Sequence, residues 1–338
     1  MLFQPFVKMS LSVRCRSPKL NTMKLLMTFG ALLLAVMASA QQFTHAEVTL
    51  PVEDKSTPAV ITIPTGDGPF PAVVIIVGSG PTDLDGNSRG LPGKNNSLKM
   101  LAEGLAEQGY ASIRYNKRIF AGFGEQDLHF EDLVTDAITA YDLLDKDPRF
   151  SQVGFAGHSQ GSLVGMLAAQ QREADFYISL AGIGLDFAEV ISGQLKSNPA
   201  NPTSLIEEAE KIMEVLKKGE QVDEVSPLLA PLFRPSVQPF LGSWMKYDPQ
   251  EEIAKLSMPV LIVNGTTDIQ VGAENADMLL KAVKAKKVKL IIEGMNHVLK
   301  EAPADRAANI ATYSKEDLPL SIGLIEGIDA FLKSILDP

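Results

Sequence analysis

The sequence has 338 residues but only one cysteine, one tryptophan and four histidines, which leaves few routes to chemistry. The cysteine, Cys15, lies in an N-terminal stretch expected to be removed, so the mature chain has no disulfide, thiolate zinc site or cysteine nucleophile. Basic clusters are also missing. Five of the 31 Lys and Arg residues (Lys8, Arg14, Arg16, Lys19, Lys24) fall in the first 40 positions, which carry no acid. The remaining chain sets 26 cations against 41 Asp and Glu, a net charge near −15, and that balance argues against a nucleic-acid partner. Nor is there an apolar run of the roughly 20 residues that a membrane-spanning helix needs. Leu25–Met37, at 13 residues, falls short.

That run follows Lys24 and several earlier cations and is followed by Ala38-Ser39-Ala40. A charged start, a short apolar centre and a small-x-small exit form a secretory signal peptide over 1–40, so the protein is expected to be exported, periplasmic or secreted. Met23-Lys24 begins a conventional signal, so residues 1–22 are read as lying upstream of the true start. The rest suits one large domain with an insertion.

Glu47–Val52 and Ala59–Pro64 read as an antiparallel pair at a sheet edge. Ala72–Val77 is apolar without alternation, as in a parallel strand covered on both faces. From there strands (Ala72–Val77, Tyr110–Tyr115, Val153–Ala156, Phe176–Leu180) alternate with helical patterns (Ser97–Gln108 with Ser97 as N-cap, Glu131–Leu144, Ser162–Gln171), the signature of a doubly wound, mostly parallel α/β sheet. The rhythm breaks at Gly182 and resumes at Pro259–Val263. The core is therefore assigned to 41–182 and 257–338, and 183–256 to an inserted helical cap. The cap holds an amphipathic helix near Ser204–Lys218, with capping-box spacing at Ser204 and Glu207. It also holds the proline-rich 227–249, whose Phe233, Phe240, Trp244 and Tyr247 are expected either to line a pocket or to form the cap's own small core.

The loop after Ala72–Val77, Gly78-Ser79-Gly80-Pro81-Thr82-Asp83-Leu84-Asp85-Gly86-Asn87, spaces Asp83, Asp85 and Asn87 like calcium ligands. An EF-hand, however, needs its Gly after the third ligand and Glu at the twelfth position. Here Gly86 comes early and the twelfth residue is Lys94, so no metal is assigned.

Gly157-His158-Ser159-Gln160-Gly161 fits G-x-S-x-G between a strand and a helix, the context of a nucleophile elbow. The serine sits on a strained turn where strand and helix nearly touch, and glycines at 157, 161 and 165 remove the Cβ atoms that would collide. Ser159 then needs a base. His45 precedes the first strand, His129 starts a surface helix, and the backbone position of His158 points its side chain away from the Ser159 Oγ. His297, just after the late strand Val288–Ile292, is the workable base. The orienting carboxylate is assigned to Asp268, which follows Val260–Val263. Asp186 is the rival, and Glu293 lies too close to its own strand. The oxyanion donors are assigned to the backbone N–H groups of Gln160 and Ser79, with Gly80 as the alternative to Ser79.

From Ala72 onward the chain resembles the α/β-hydrolase superfamily in its elbow and in the order Ser159, Asp268, His297. More narrowly it resembles exported bacterial carboxylesterases and serine-aminopeptidase-like hydrolases. Gly78–Asp83, Leu232-Phe233-Arg234-Pro235-Ser236-Val237-Gln238-Pro239 and Gly265-Thr266-Thr267-Asp268 carry that likeness, and Val77 stands where many relatives have His. The resemblance implies hydrolysis of small-molecule acyl esters through an acyl-enzyme, without a cofactor. Two alternatives stay open. One is a peptidase or amidase with the same triad, needing an acidic anchor in the cap, for which Glu207, Glu208 and Glu210 are poor candidates on a solvated helix face. The other is a non-catalytic binding protein on the same fold.

Overall fold

The computed structural model describes residues 42–336, so the expected signal peptide and the choice between Met1 and Met23 lie outside the described residues. β1 (Phe43–Val52) and β2 (Lys55–Pro64) pair antiparallel along their whole length, Phe43 opposite Pro64. The parallel strands are β3 (Phe70–Ile76), β4 (Ala111–Tyr115), β5 (Phe150–His158), β6 (Tyr177–Leu180), β7 (Val260–Gly265) and β8 (Lys287–Ile292). One eight-stranded sheet results, in the order β1-β2-β4-β3-β5-β6-β7-β8.

The unbroken apolar strands are explained by cover on both faces. Val73 and Ile75 of β3 pack into a core with α1 (Ser97–Glu107) and the C-terminal helix Leu324–Leu336. Val74 and Ile76 face the opposite core with α2 (Phe130–Asp145) and α3 (Gln160–Ala169). Among the described residues no helix is long and apolar enough to cross a membrane.

Two helix caps differ from expectation. α1 has Asn96, not Ser97, at its N-cap, in a left-handed conformation (φ 52°). Here Asn96 is held by its side-chain contact with Asn87, and the Ser97 N–H goes to Asn95 Oδ1, so a network within the preceding loop decides the boundary. The segment between β6 and β7 begins with α4 (Phe187–Ser197), capped by Asp186. It continues with α5 (Thr203–Lys217), where Pro202 occupies the cap position and replaces the expected Ser204–Glu207 box. A proline there has its φ preset, and a cap two residues earlier puts Ser204 inside the first turn. Three short helices follow, α6 (Ala230–Phe233), α7 (Gln238–Trp244) and α8 (Pro249–Ile253), each with proline in its first turn.

Backbone meets backbone with no room for a side chain between β5 and α3. A Cβ on Gly157 would meet the Gly161 carbonyl oxygen at 2.1 Å, and one on Gly161 would meet the Ile76 and Val77 carbonyl oxygens at 2.5 and 2.6 Å. Backbone on backbone leaves no side chain to yield. Gly157→Ala is therefore expected to lose about 3 kcal/mol or more of unfolding free energy in urea titration. Gly193→Ala, in α4 with nothing within 4 Å of the added atom, should instead hold or gain up to about 1 kcal/mol. Similar losses in both would show that the elbow contact is not what limits Gly157.

Candidate active site

Each predicted site residue leaves the carboxyl edge of the parallel sheet, where open α/β folds bind ligands. Ser159 follows β5, Asp268 follows β7, His297 follows β8, and Ser79 follows β3. The β5–α3 junction forces Ser159 to φ 55° and ψ −121°, a conformation a side-chain-bearing residue adopts only when its surroundings impose it. The Ser159 N–H is bound to the Leu180 carbonyl of β6 (2.9 Å), and its own carbonyl accepts the Ser162 N–H (2.9 Å).

Asp268 and His297 are brought together. His297 Nδ1 donates to Asp268 Oδ2 at 2.8 Å, and the other carboxylate oxygen accepts the N–H groups of Gln270 (2.8 Å) and Val271 (2.9 Å). A carboxylate can only accept, so Nδ1 carries the proton and Nε2 keeps its lone pair, the tautomer a base requires. The Asp268 side chain is fully buried. Burial alone would raise its pKa, but the neighbouring His297 and the hydrogen bonds hold it below the usual carboxylate value. Asp186, the rival carboxylate, accepts the Glu189 N–H at the start of α4 and pairs with Lys217 at 2.9 Å. It is a helix cap.

The turn carrying His297 depends on Asn296. Its buried side chain accepts from the Val298 and Lys300 N–H groups and donates to Thr312 Oγ1 (2.8 Å) and Asn309 Oδ1 (3.3 Å). Sequence reasoning passed over Asn296 and dismissed His158. His158 is indeed unsuited to be the base, since its Nε2 donates to the His297 carbonyl at 2.7 Å and the two rings lie 4.9 Å apart. It ties the β5–α3 turn to the loop carrying His297. The signal was its place beside Ser159, but the partner is 139 residues away and invisible to local pattern.

A cavity of about 380 Å³ opens above Ser159, with Ser79, Gly80 and Gln160 in its wall. Its apolar lining comes from α3 and the inserted helices, including Leu163, Ile191, Phe240 and Trp244. Of the four aromatics noted in the sequence, only Phe240 and Trp244 line it. Phe233 is wholly buried, and Tyr247 donates to Glu131 of α2 at 3.0 Å. Asp83, Asp85 and Asn87 stitch their own loop instead: Asp83 Oδ1 accepts the N–H groups of Asp85 and Asn87, and Asp85 pairs with Arg114.

Burial of His158, with His297 beside it, lowers its pKa to about 4, against about 6.5 when unfolded. Between those values the unfolded chain binds the extra proton, so this contribution is complete above pH 6.5 and lost as pH falls toward 4. Urea unfolding at pH 7 and pH 4.5 should show wild type losing roughly 2–3 kcal/mol more than His158→Gln over that interval. Equal losses would mean His158 is not buried as a neutral ring.

Residues 90–302, well over half of the chain, match the family described as serine aminopeptidase, S33. Esterase EstD of Thermotoga maritima is 30% identical over 230 residues, which is 67% of this chain and 53% of that protein, so the chain spans about half the length of that curated relative. Among solved structures, Est1E of Butyrivibrio proteoclasticus with ferulic acid bound superposes with a TM-score of 0.55 at 20% identity, over 86% of this chain and 100% of that one. The esterase domain of a Rhodothermus marinus protein gives 0.51 at 18%, over 86% and 98%. At such identities the structural likeness speaks to the fold alone. The profile match goes further: this chain belongs to the S33 serine aminopeptidase family, built on the α/β-hydrolase fold.

Proposed function

We propose that the protein hydrolyses carboxylic esters of small molecules, with Ser159 as nucleophile, His297 as general base and acid, and Asp268 as the group that orients His297. The observation carrying this reading is the Asp268–His297 pair at 2.8 Å, at the same sheet edge as a serine held at φ 55°. Nε2 of His297 takes the Ser159 proton as Oγ attacks the acyl carbonyl, and Asp268 stabilises the imidazolium. The N–H groups of Gln160 and Ser79 receive the oxyanion. His297 returns the proton to the leaving alcohol, and water then cleaves the acyl-enzyme by the same steps.

The family's description makes a peptidase the second reading. An aminopeptidase needs an acid to anchor the substrate amine, and among the described residues no Asp or Glu lines the cavity above Ser159. Two of the acids of α5 are engaged elsewhere: Glu208 accepts the Ser226 N–H, and Glu210 pairs with Lys196 and Ser192. An apolar cavity roofed by the inserted helices, acting as a cap, suits an acyl chain better. The charged start, apolar run and Ala38-Ser39-Ala40 exit support export of this esterase after cleavage of residues 1–40.

A fluorophosphonate probe should label wild type and fail on Ser159→Ala. His297→Ala should lower kcat/KM on p-nitrophenyl esters by roughly 10⁴-fold or more. Across acyl chains from acetate to palmitate, kcat/KM should peak at short to medium length, because a cavity of about 380 Å³ is at the small end for ligand sites. Equal labelling of wild type and Ser159→Ala defeats the mechanism. Faster cleavage of aminoacyl amides than of any ester in the series favours the peptidase.

A further inference from the structure

We propose that Lys117 is a positioning residue for the oxyanion loop, holding the carbonyls of Gly78 and Gly80 so that the Ser79 N–H faces the reacting carbonyl. This rests on the reading of Ser159 as the nucleophile. β3 and β4 are parallel neighbours, with Ile75 opposite Arg114, so the residues leaving β4 emerge beside the loop leaving β3. Lys117, two residues past the end of β4, turns its side chain into that loop. Its Nζ donates to the Gly80 carbonyl at 3.0 Å and to the Gly78 carbonyl in a second, short contact.

The geometry of the peptide unit turns this contact into an orientation. In a planar trans peptide the C=O of one residue and the N–H of the next point in opposite directions. Anchoring the Gly78 oxygen on Lys117 therefore directs the Ser79 N–H away from Lys117. The Ser79 carbonyl is held in turn by Thr82 Oγ1 at 2.9 Å, which fixes the direction of the Gly80 N–H by the same rule. The peptide after Gly80 leads into Pro81 and has no N–H to aim, so the second Lys117 contact serves to fix the loop's path. Three successive carbonyls are thus tied by two side chains.

Lys117 is only 9% exposed, and among the described residues no carboxylate lies within ion-pair reach of its Nζ. Burial brings its pKa down to about 7. A surface staple would not require so expensive a placement: a lysine amine set among backbone carbonyls, without a counter-charge, is retained at a cost in stability. It also lines a smaller cavity of about 230 Å³ that shares Gly80 and Gln160 with the wall above Ser159.

The test compares wild type, Lys117→Met and Lys117→Gln, the last keeping one side-chain donor. Steady-state hydrolysis of a p-nitrophenyl ester is paired with inhibition by an alkyl trifluoromethyl ketone, whose serine adduct places a negative oxygen where the oxyanion forms. In Lys117→Met, kcat should fall about 10- to 100-fold, with KM within about threefold of wild type. The inhibitor's Ki should rise by the factor that kcat/KM falls, and Lys117→Gln should lie between. If Lys117→Met does not fold, the joint shift of kcat and Ki in Lys117→Gln decides. Activity lost with Ki unchanged, or neither changed, overturns the role of Lys117 while leaving Ser159 labelled in all three proteins. A wild type that the fluorophosphonate probe fails to label removes the esterase reading and this inference together.

Discussion

Three backbones meet where β5 turns into α3. The Gly161 oxygen approaches Gly157, and the Ile76 and Val77 oxygens of the neighbouring strand approach Gly161, all at distances that admit no Cβ. Ser159 is held at a positive φ because the chain on either side of it has nowhere else to go. Its neighbours are placed relative to that contact. β3 ends against it and delivers Ser79, while His158 leaves it to reach the His297 carbonyl. Such a junction stores strain that the surrounding sheet must outweigh, and the two apolar cores on either face of the sheet provide that weight.

Electrostatic settings around the serine are made by burial as much as by partners. Asp268 stays ionised because two backbone N–H groups and His297 compensate for its loss of water. His158, equally enclosed but facing a carbonyl rather than a carboxylate, is driven the other way and stays neutral. Two imidazoles 4.9 Å apart thus rest on acceptors of different charge, a backbone carbonyl for His158 and a carboxylate for His297.

The sheet, the elbow and the Asp268–His297 pair were legible in the sequence because each leaves a local mark. Apolar runs such as Ala72–Val77 mark strands covered on both faces, three glycines spaced around Ser159 mark a close approach, and a count of four histidines leaves His297. What escaped was set by distant contacts. Asn296 looks like an ordinary loop residue until Thr312 and Asn309 are seen beside it. Lys117 reads as a surface cation until β4 is placed next to β3. The helix caps at Asn96 and Pro202 were missed for a smaller reason. Loop side chains in one case and Pro202 in the other outweighed the serine that local preference favoured.

The segment between β6 and β7 leaves and rejoins the sheet at adjacent strands, with Tyr177 opposite Val260. Its helices contribute no rung to the ladder, and their hold on the core runs through side chains, among them Trp244 stacked on Phe130 at 5.5 Å and Arg234 paired with Glu125 at the edge of the cavity. The cavity lining and the strand ends that hold Ser159, Asp268 and His297 are therefore separable parts of the fold. The lining can be lengthened, shortened or exchanged while the strands bearing Ser159, Asp268 and His297 keep their register. A scaffold arranged this way can acquire new substrates by regrafting a single segment, leaving the reaction itself intact.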